Sequence, residues 1–296
     1  MRRLLSALAL AALPAVTVGC GYGAGEPSRG VSLLVTRDFG ARELGERRNV
    51  DPPGGETVMR LLQRHFDVKT RYGGGFVSSI AGVAGGQERG RPLDWFFFVN
   101  GVESERGAAA VALADGDRVW WDRRDWGAAS SVAAVVGSFP EPLRDGARLR
   151  CARGAQAACA VAAARLRAAG VHATRAARLP RVLVGRWRAL RGDPAAALLE
   201  RGPSASGIYA RPAADGRRIT VLDERGRPAQ VLGAGAGLVA ATRRGSEQPT
   251  WIVTGTDGRG LLAAARALRA RALGGRFALA LAGDRGIRVP EAGGRG

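Results

Sequence analysis

The sequence predicts two unlike domains in tandem, an α+β domain whose small sheet packs on one helix and then an α/β layered domain. Three observations predict this. Before residue 127, one apolar strand and one amphipathic helix precede several aromatic or β-branched strands. After residue 147, short apolar strands alternate with Ala- and Leu-rich helices. Between them, residues 128–146 carry small residues, Pro140 and Pro142, and read as a linker.

In the first domain, taken as 31–127, Val31 to Thr36 is apolar and β-branched, the pattern of a strand. Pro52-Pro53-Gly54-Gly55 makes a turn, and Glu56-Thr57 opens a helix with Val58, Leu61, Leu62 and His65 on one face. His65 reads as a half-buried helix residue. Tyr72 to Gly75 is a glycine-rich turn into a strand ending near Ile80. Trp95 to Val99 is a dense aromatic strand, and Asn100-Gly101 signals a hairpin because both residues accept positive φ. Asp115-Gly116-Asp117 turns the chain into a last strand, Val119-Trp120-Trp121-Asp122, and the domain closes near Trp126.

In the second domain, taken as 147–290, strands are expected at 148–151, 171–174, 182–184, 251–254 and 277–281. Helices are expected at 155–169, with Gly170 as its stop, at 194–200 behind Pro194, and at 258–273, stopped by Gly274-Gly275. Asp223 to Gly226 reads as a hairpin turn, and 291–296 as a disordered tail.

The N-terminus has the layout of an export signal: Arg2 and Arg3, an apolar stretch from Leu4 to Val18, then Gly19-Cys20. The end of this stretch resembles the lipobox of bacterial lipoproteins, with Thr17 where that family prefers Leu. The resemblance implies cleavage after residue 19 and lipidation of Cys20. The alternative is an ordinary secretory signal. In either case export is expected, with 20–30 as a flexible tether. The lipid would hold the protein to the outer face of the cell membrane, its membrane partner.

Formal net charge is +19, yet Lys69 is the only lysine and the arginines are scattered. No dense basic run marks a nucleic-acid partner, so the charge reads as a solvated surface attracted to anionic lipid head groups or cell-wall polymers. Cys151 and Cys159 could close a disulfide in an oxidising compartment or remain as two buried thiols. His65 and His172 are the only histidines and neither sits in a ligand-spaced cluster, so no metal site is expected.

Four segments of the first domain carry a resemblance. They are Glu56-Thr57-Val58, then Gly75-Phe76-Val77 with Ser79-Ile80-Ala81-Gly82, then Asp94 to Gly101 with Gly107-Ala108, and Gly116 to Asp122. Together they resemble the DUF4430 family, which is related to the C-terminal domain of the transcobalamin and intrinsic-factor proteins. The resemblance spans about residues 31–126 and implies a β-grasp-like fold and an extracellular domain that binds ligands or proteins. In the transcobalamin group this domain closes over a corrinoid held by a helical barrel. Nothing in this chain resembles that barrel, so a corrinoid enters only as a candidate ligand; no cofactor is expected.

Strand alternation puts Trp95, Phe97 and Val99 on one sheet face, with Phe96 and Phe98 on the other, and splits Trp120 from Trp121. One set fills the core under the helix. The other is either an exposed binding surface or is buried by the protein's own second domain. Tyr72, Trp95, Phe97, Asn100, Trp120, Trp121 and Trp126 are therefore the candidate ligand-binding residues. In the second domain, Gly255, Thr256 and Gly258 at a strand-to-helix turn are a candidate anion site, although an N-cap role for Thr256 or Asp257 is the simpler reading. Gly233-Ala-Gly235-Ala-Gly237 reads as a turn. Ser204 and Ser206 have no neighbouring His, and no catalytic residue is identified. The expected function is binding, of a small molecule for delivery to a transporter or of another envelope component, with an enzyme in the α/β domain as the remaining alternative.

Overall fold

The structure, a computed structural model, describes residues 27–292. The first region runs β1 (Val31–Arg37), β2 (Arg42–Val50), α1 (Val58–His65), β3 (Val68–Arg71), β4 (Phe76–Ile80), β5 (Val83–Ala84), β6 (Gly86–Glu88), β7 (Arg91–Val99), β8 (Val102–Glu103) and β9 (Arg118–Asp125). It is α+β, with a mixed sheet ordered β2-β1-β9-β7-β6 and β8 paired to β7. β1 runs parallel to β9, and the other pairs are antiparallel.

α1 starts where Thr57 accepts a hydrogen bond from the Arg60 N–H at 3.3 Å, and Arg64 and His65 lie in its last turn. Its buried residues Val58, Met59, Leu61 and Leu62 meet Val31, Leu33 and Val35 of β1 and Trp95, Phe97 and Trp121 in one apolar cluster. β3, β4 and β5 form a small antiparallel sheet beside it.

The second region runs β10 (Arg148–Cys151), α2 (Gln156–Ala168), β11 (Arg181–Arg186), α3 (Trp187–Leu190), α4 (Pro203–Ser206), β12 (Ala210–Pro212), β13 (Ile219–Leu222), β14 (Pro228–Leu232), β15 (Ala236–Thr242), β16 (Thr250–Gly255), α5 (Gly258–Arg266), α6 (Ala270–Leu273), β17 (Ala278–Ala282) and β18 (Arg285–Val289). A six-stranded sheet is ordered β10-β11-β16-β15-β17-β18. Its first three strands are parallel and the rest antiparallel, so this region too is an α+β arrangement around a mixed sheet rather than a regular α/β layer. α2 and α5 cover one face through Ala158, Ala162, Leu166, Leu261, Ala264 and Ala265, packed on Val182, Val184, Val239, Trp251 and Val253. β12, β13 and β14 form a separate three-stranded sheet.

Several elements differ from the sequence expectation, among them a single 3-10 turn at Ala197–Arg201 in place of the helix expected over 194–200. Residues 171–174 form no strand: only Ala173 bridges to Ala147. The helix expected over 258–273 breaks between Arg266 and Ala270 into α5 and α6. Residues 128–146, a connector between the regions, are no solvated linker, because Val132, Val135, Val136, Phe139 and Leu143 are buried in two of the apolar clusters.

The two regions share a core. Phe39, Phe98 and Trp120 of the first lie in one cluster with Tyr209, Leu238, Ile252 and Phe277 of the second. Polar ties join them as well: Arg91 reaches both Asp125 (2.9 Å) and Glu224 (2.5 Å), and Arg243 meets Glu105 at 3.2 Å.

Candidate functional site

The aromatic strand β7 lies antiparallel to β9, with Phe97 opposite Trp121 and Phe98 opposite Trp120. The period of two then sorts these rings. Phe97 stacks on Trp121 at 4.8 Å under α1, whereas Phe98 and Trp120 turn to Phe277. The second aromatic face is thus covered by the protein's own second region and is not an exposed binding surface. Trp120 also donates its indole N–H to the Thr36 hydroxyl at 2.7 Å, and that hydroxyl donates to Asp122 at 2.5 Å. Asp122 is fully buried at this junction, and burial pushes its carboxyl up to about 7.

The candidate residues divide accordingly. Trp95, Phe97 and Trp121 line a cleft of about 360 Å³ together with Phe76 and Phe96. Trp120 belongs to the core between the regions. Asn100 shapes the β7–β8 turn: its amide donates to Asp117 at 2.7 Å and its carbonyl accepts from the Arg118 N–H. Trp126 is 38% exposed with its N–H on Asp94, and Tyr72, 86% exposed, tips the β3–β4 hairpin with its ring edge-on to Phe76.

The cleft combines aromatic walls with a polar mouth. Gly75, Phe76 and Val77 form one side, and Ser104, Ser130, Ser131 and Ala133 supply the other. At the mouth, Glu103 accepts from Arg124 (2.9 Å), from the Val132 N–H (2.8 Å) and from the Ser131 hydroxyl. Arg124 is 0% exposed, its guanidinium 3.7 Å from the centre of the Phe96 ring, with further bonds to the carbonyls of Ala129 and Ser130. This network holds residues 129–132 against β8 and β9 and fixes that side of the cleft. A second hollow of about 370 Å³ shares Glu103, Ser104, Glu105 and Arg243 with it. The cleft thus sets the edges of largely buried rings, and the exposed ring of Phe76, beside hydroxyl and charged groups. Glu103, Ser130, Ser131 and Arg243 have no motif around them in the sequence; only the tertiary fold gathers them.

The turn at Gly255, Thr256 and Gly258 is filled by the protein itself. Asp257 caps α5 by accepting from Gly260 (2.9 Å) and also takes the Gly235 N–H (2.8 Å), while Thr256 bonds to Gly233 and Ala236. These hydrogen bonds hold the Asp257 carboxyl below its usual range. The loop is a capped helix start and no anion site, because its own carboxylate takes the place an anion would need.

Cys151 and Cys159 are bonded, with Cα atoms 6.0 Å apart, tying the end of β10 to α2. Burial, with Arg47 and Arg64 nearby, lowers the His65 pKa, and His172 is exposed. Ser206 donates to the Gly202 carbonyl at 2.8 Å within its own turn. Among the described residues, no group of three or more His, Cys, Asp or Glu could hold a metal ion. No described helix is long and apolar enough to cross a membrane. Cys20 and the export segment lie outside the described residues.

No curated protein matches the sequence. Among solved structures, haptocorrin in complex with Cbi is similar over 33% of this chain and 25% of its own, at 16% identity and a TM-score of 0.26. The chain thus spans about a quarter of the haptocorrin length. A protein of Ruminococcus gnavus ATCC 29149, provisionally described as metal binding, is similar over 33% of this chain and 97% of its own, at 12% identity and a TM-score of 0.26. The segment from the turn before α1 to the end of β9 matches a family model, and residues 55–124 are a domain of the family described as a domain of unknown function, DUF4430.

Proposed function

We propose that this protein is a lipid-anchored, extracytoplasmic binding protein whose β-grasp-like DUF4430 domain takes a small, largely apolar molecule into the aromatic cleft. The observation that carries the reading is the cleft itself. Its volume, about 360 Å³, falls within the range of small-molecule sites, and it is walled by Trp95, Phe97, Trp121 and Phe76 beside a hydroxyl- and charge-lined mouth. That size fits a compact organic molecule, or one edge of a macrocycle such as a corrinoid. An export signal and a lipidated Cys20 would place the cleft beside the membrane, where tethering raises ligand concentration next to a transporter.

The test is a thermal-shift screen of the protein against corrinoids and a panel of planar apolar metabolites. A ligand at 100 times its Kd stabilises by about 2.7 kcal/mol, a clear rise in melting temperature. Phe76 is exposed at the cleft edge, so Phe76→Ala removes a wall without opening the core. The reading requires a ligand whose stabilisation disappears in that variant; silence across the panel overturns it.

A second reading has its own observation. Tyr72 and Phe76 form an exposed aromatic pair at a hairpin tip, the kind of projection that meets another envelope protein. Capture of one partner by the wild-type protein but not by Tyr72→Ala, with no small-molecule stabilisation, would favour it.

A further inference from the structure

A larger cleft lies elsewhere and shares no residue with the aromatic one. It holds about 900 Å³ between the two regions. Alternation along β1 builds one wall: Val31, Leu33 and Val35 point into the first core, which leaves Ser32, Leu34 and Thr36 for the cleft. The other walls come from β2, the start of β9, the connector around Phe139, the α6 turn at Gly274-Gly275, and β18.

Five arginines from five places in the chain converge here, Arg48, Arg118, Arg144, Arg271 and Arg288, against two glutamates, Glu43 and Glu46. Arg48 is paired with Glu46 at 2.7 Å, and Arg144 with Glu141. Arg118, Arg271 and Arg288 have no carboxylate partner among the described residues. Arg118 donates to the Phe139 carbonyl at 3.0 Å and Arg288 to the Gly275 carbonyl at 2.5 Å, one bond each from a group with five N–H donors.

Among the described residues, half-buried Arg148, Arg165, Arg269 and Arg276 also lack a carboxylate partner, but none of them lines this cleft. Arg91, Arg123, Arg124 and Arg181, by contrast, each have a carboxylate oxygen within 2.9 Å. A desolvated charge without a counter-charge is costly. Burial lowers the Arg118 pKa, with Arg144 and Arg48 adding to it, and burial then Arg276 lower that of Arg288. Glu141 and Glu46 offset part of this for Arg118, and Asp122 for Arg288. A bound anion would supply the missing counter-charge to both.

We propose that this arginine-lined cleft between the two regions binds a phosphate-bearing polar ligand. Guanidinium forks match the oxygen pairs of a phosphate group, and several forks from separate elements can grip more than one phosphate. The cleft is larger than a single phosphate needs, and Leu34 and Phe139 are its only large apolar lining, so the ligand is polar throughout. The phosphate can belong to a soluble molecule or to a lipid headgroup.

The test is calorimetric titration of the full-length chain, in non-ionic detergent at low salt, with sodium tripolyphosphate and with inorganic phosphate. Tripolyphosphate is expected to bind saturably at one site and more tightly than phosphate. Arg271→Gln, on an exposed side chain without protein partners, should weaken it by about tenfold. Arg150→Gln, the same charge change on an exposed strand residue outside the cleft, should leave it within twofold. Arg288→Gln should abolish tripolyphosphate binding while leaving the melting temperature of the free protein unchanged or higher, since it removes an uncompensated charge. Absence of saturable binding, or equal weakening by Arg150→Gln and Arg271→Gln, overturns the proposal. Competition by phosphatidylglycerol in mixed micelles of the same detergent, but not by phosphatidylcholine, would assign the phosphate to a lipid headgroup. Competition by soluble phosphates alone would assign it to a soluble ligand, and either result requires the site.

Discussion

Phe277 sits edge-on to Trp120, with ring centroids 5.2 Å apart and planes at 75°, and this contact joins residues that lie 157 positions apart in two different sheets or their flanks. Phe39 (5.1 Å) and Phe98 (5.5 Å) complete a cage around the same ring. The cage explains why the second face of the aromatic sheet can be rich in rings without being an exposed patch.

Phe277→Ala should therefore destabilise the whole protein by about 3–5 kcal/mol, as removal of a fully buried phenyl ring does. A double-mutant cycle with Trp120→Leu should return a coupling of about 0.5–1.5 kcal/mol beyond simple burial. Denaturant unfolding is the measurement. One cooperative transition is expected for the wild type; two separate transitions, or additive single effects, would contradict a shared core.

How much of this was readable in advance depends on how local each signal is. Asn100-Gly101 announces its turn because both residues adopt positive φ, 53° and 75°, and the side-chain alternation along Trp95 to Val99 assigns faces correctly. β2 carries no such signal, because it is a charged edge strand, Arg-Glu-Leu-Gly-Glu-Arg-Arg-Asn-Val, with two register shifts and no apolar alternation. Prolines and small residues mark the connector, 128–146, as a loop, yet its Val132, Val135 and Phe139 fill the cores. Gly137 shows why small residues are needed there: a Cβ at that position would lie 2.6 Å from the Trp120 ring and 2.8 Å from the Arg276 backbone. Trp95, Phe97 and Trp121 reach the aromatic cleft, but its polar mouth and the arginine-lined cleft are assembled by packing between distant segments. No spacing in the chain encodes either.

Arg124 ties β9 to the connector. Its guanidinium is enclosed by Phe96, Glu103 and two connector carbonyls, so truncation leaves Glu103 without its main cationic partner in a sheltered place. Arg124→Ala should cost about 3–5 kcal/mol. Arg124→Lys should recover little of that, because an ammonium cannot span the carboxylate and both carbonyls or stack flat on the ring. Full recovery by lysine in a thermal melt would mean that charge alone, and not the planar fork, holds the connector.

The disulfide yields a prediction from loop length. Cys151 and Cys159 are eight residues apart, so their bond closes a short loop between β10 and α2. The chain-entropy relation gives about 2–3 kcal/mol of stabilisation for such a loop. Cys151→Ser combined with Cys159→Ser should lower the denaturation midpoint accordingly, and a reductant should lower that of the wild type but not that of the double variant. Equal sensitivity of both proteins to reductant would show that the pair contributes nothing.

Asp122 carries the pH dependence. Its carboxyl titrates at about 7 in the folded protein because it is fully buried, whereas an unfolded Asp titrates near 3.8. The folded state thus holds a proton that the unfolded state has already released as pH rises from about 4 to about 7. By linkage, stability falls across that window, by up to about 1.4 kcal/mol per pH unit from this one group, and levels off above it. Carboxyls held low by partners, such as Asp193 with Arg181 and Asp257 at its cap, act with the opposite sign and lose stability only toward acid. Burial also raises the Glu224 pKa, so the wild-type slope in the upper window is not Asp122's alone. The comparison that isolates it is wild type against Asp122→Asn. The variant should lose part of the slope between pH 4.5 and 7, by direct comparison of denaturation midpoints. It should also be weaker by about 1–3 kcal/mol near neutral pH, before any relief of the buried charge, because an amide N–H₂ would face the Phe39 N–H that Asp122 now accepts at 3.1 Å. Identical slopes in the two proteins would mean that Asp122 is ionised throughout, held so by its donors Thr36, Phe39 and Gly40.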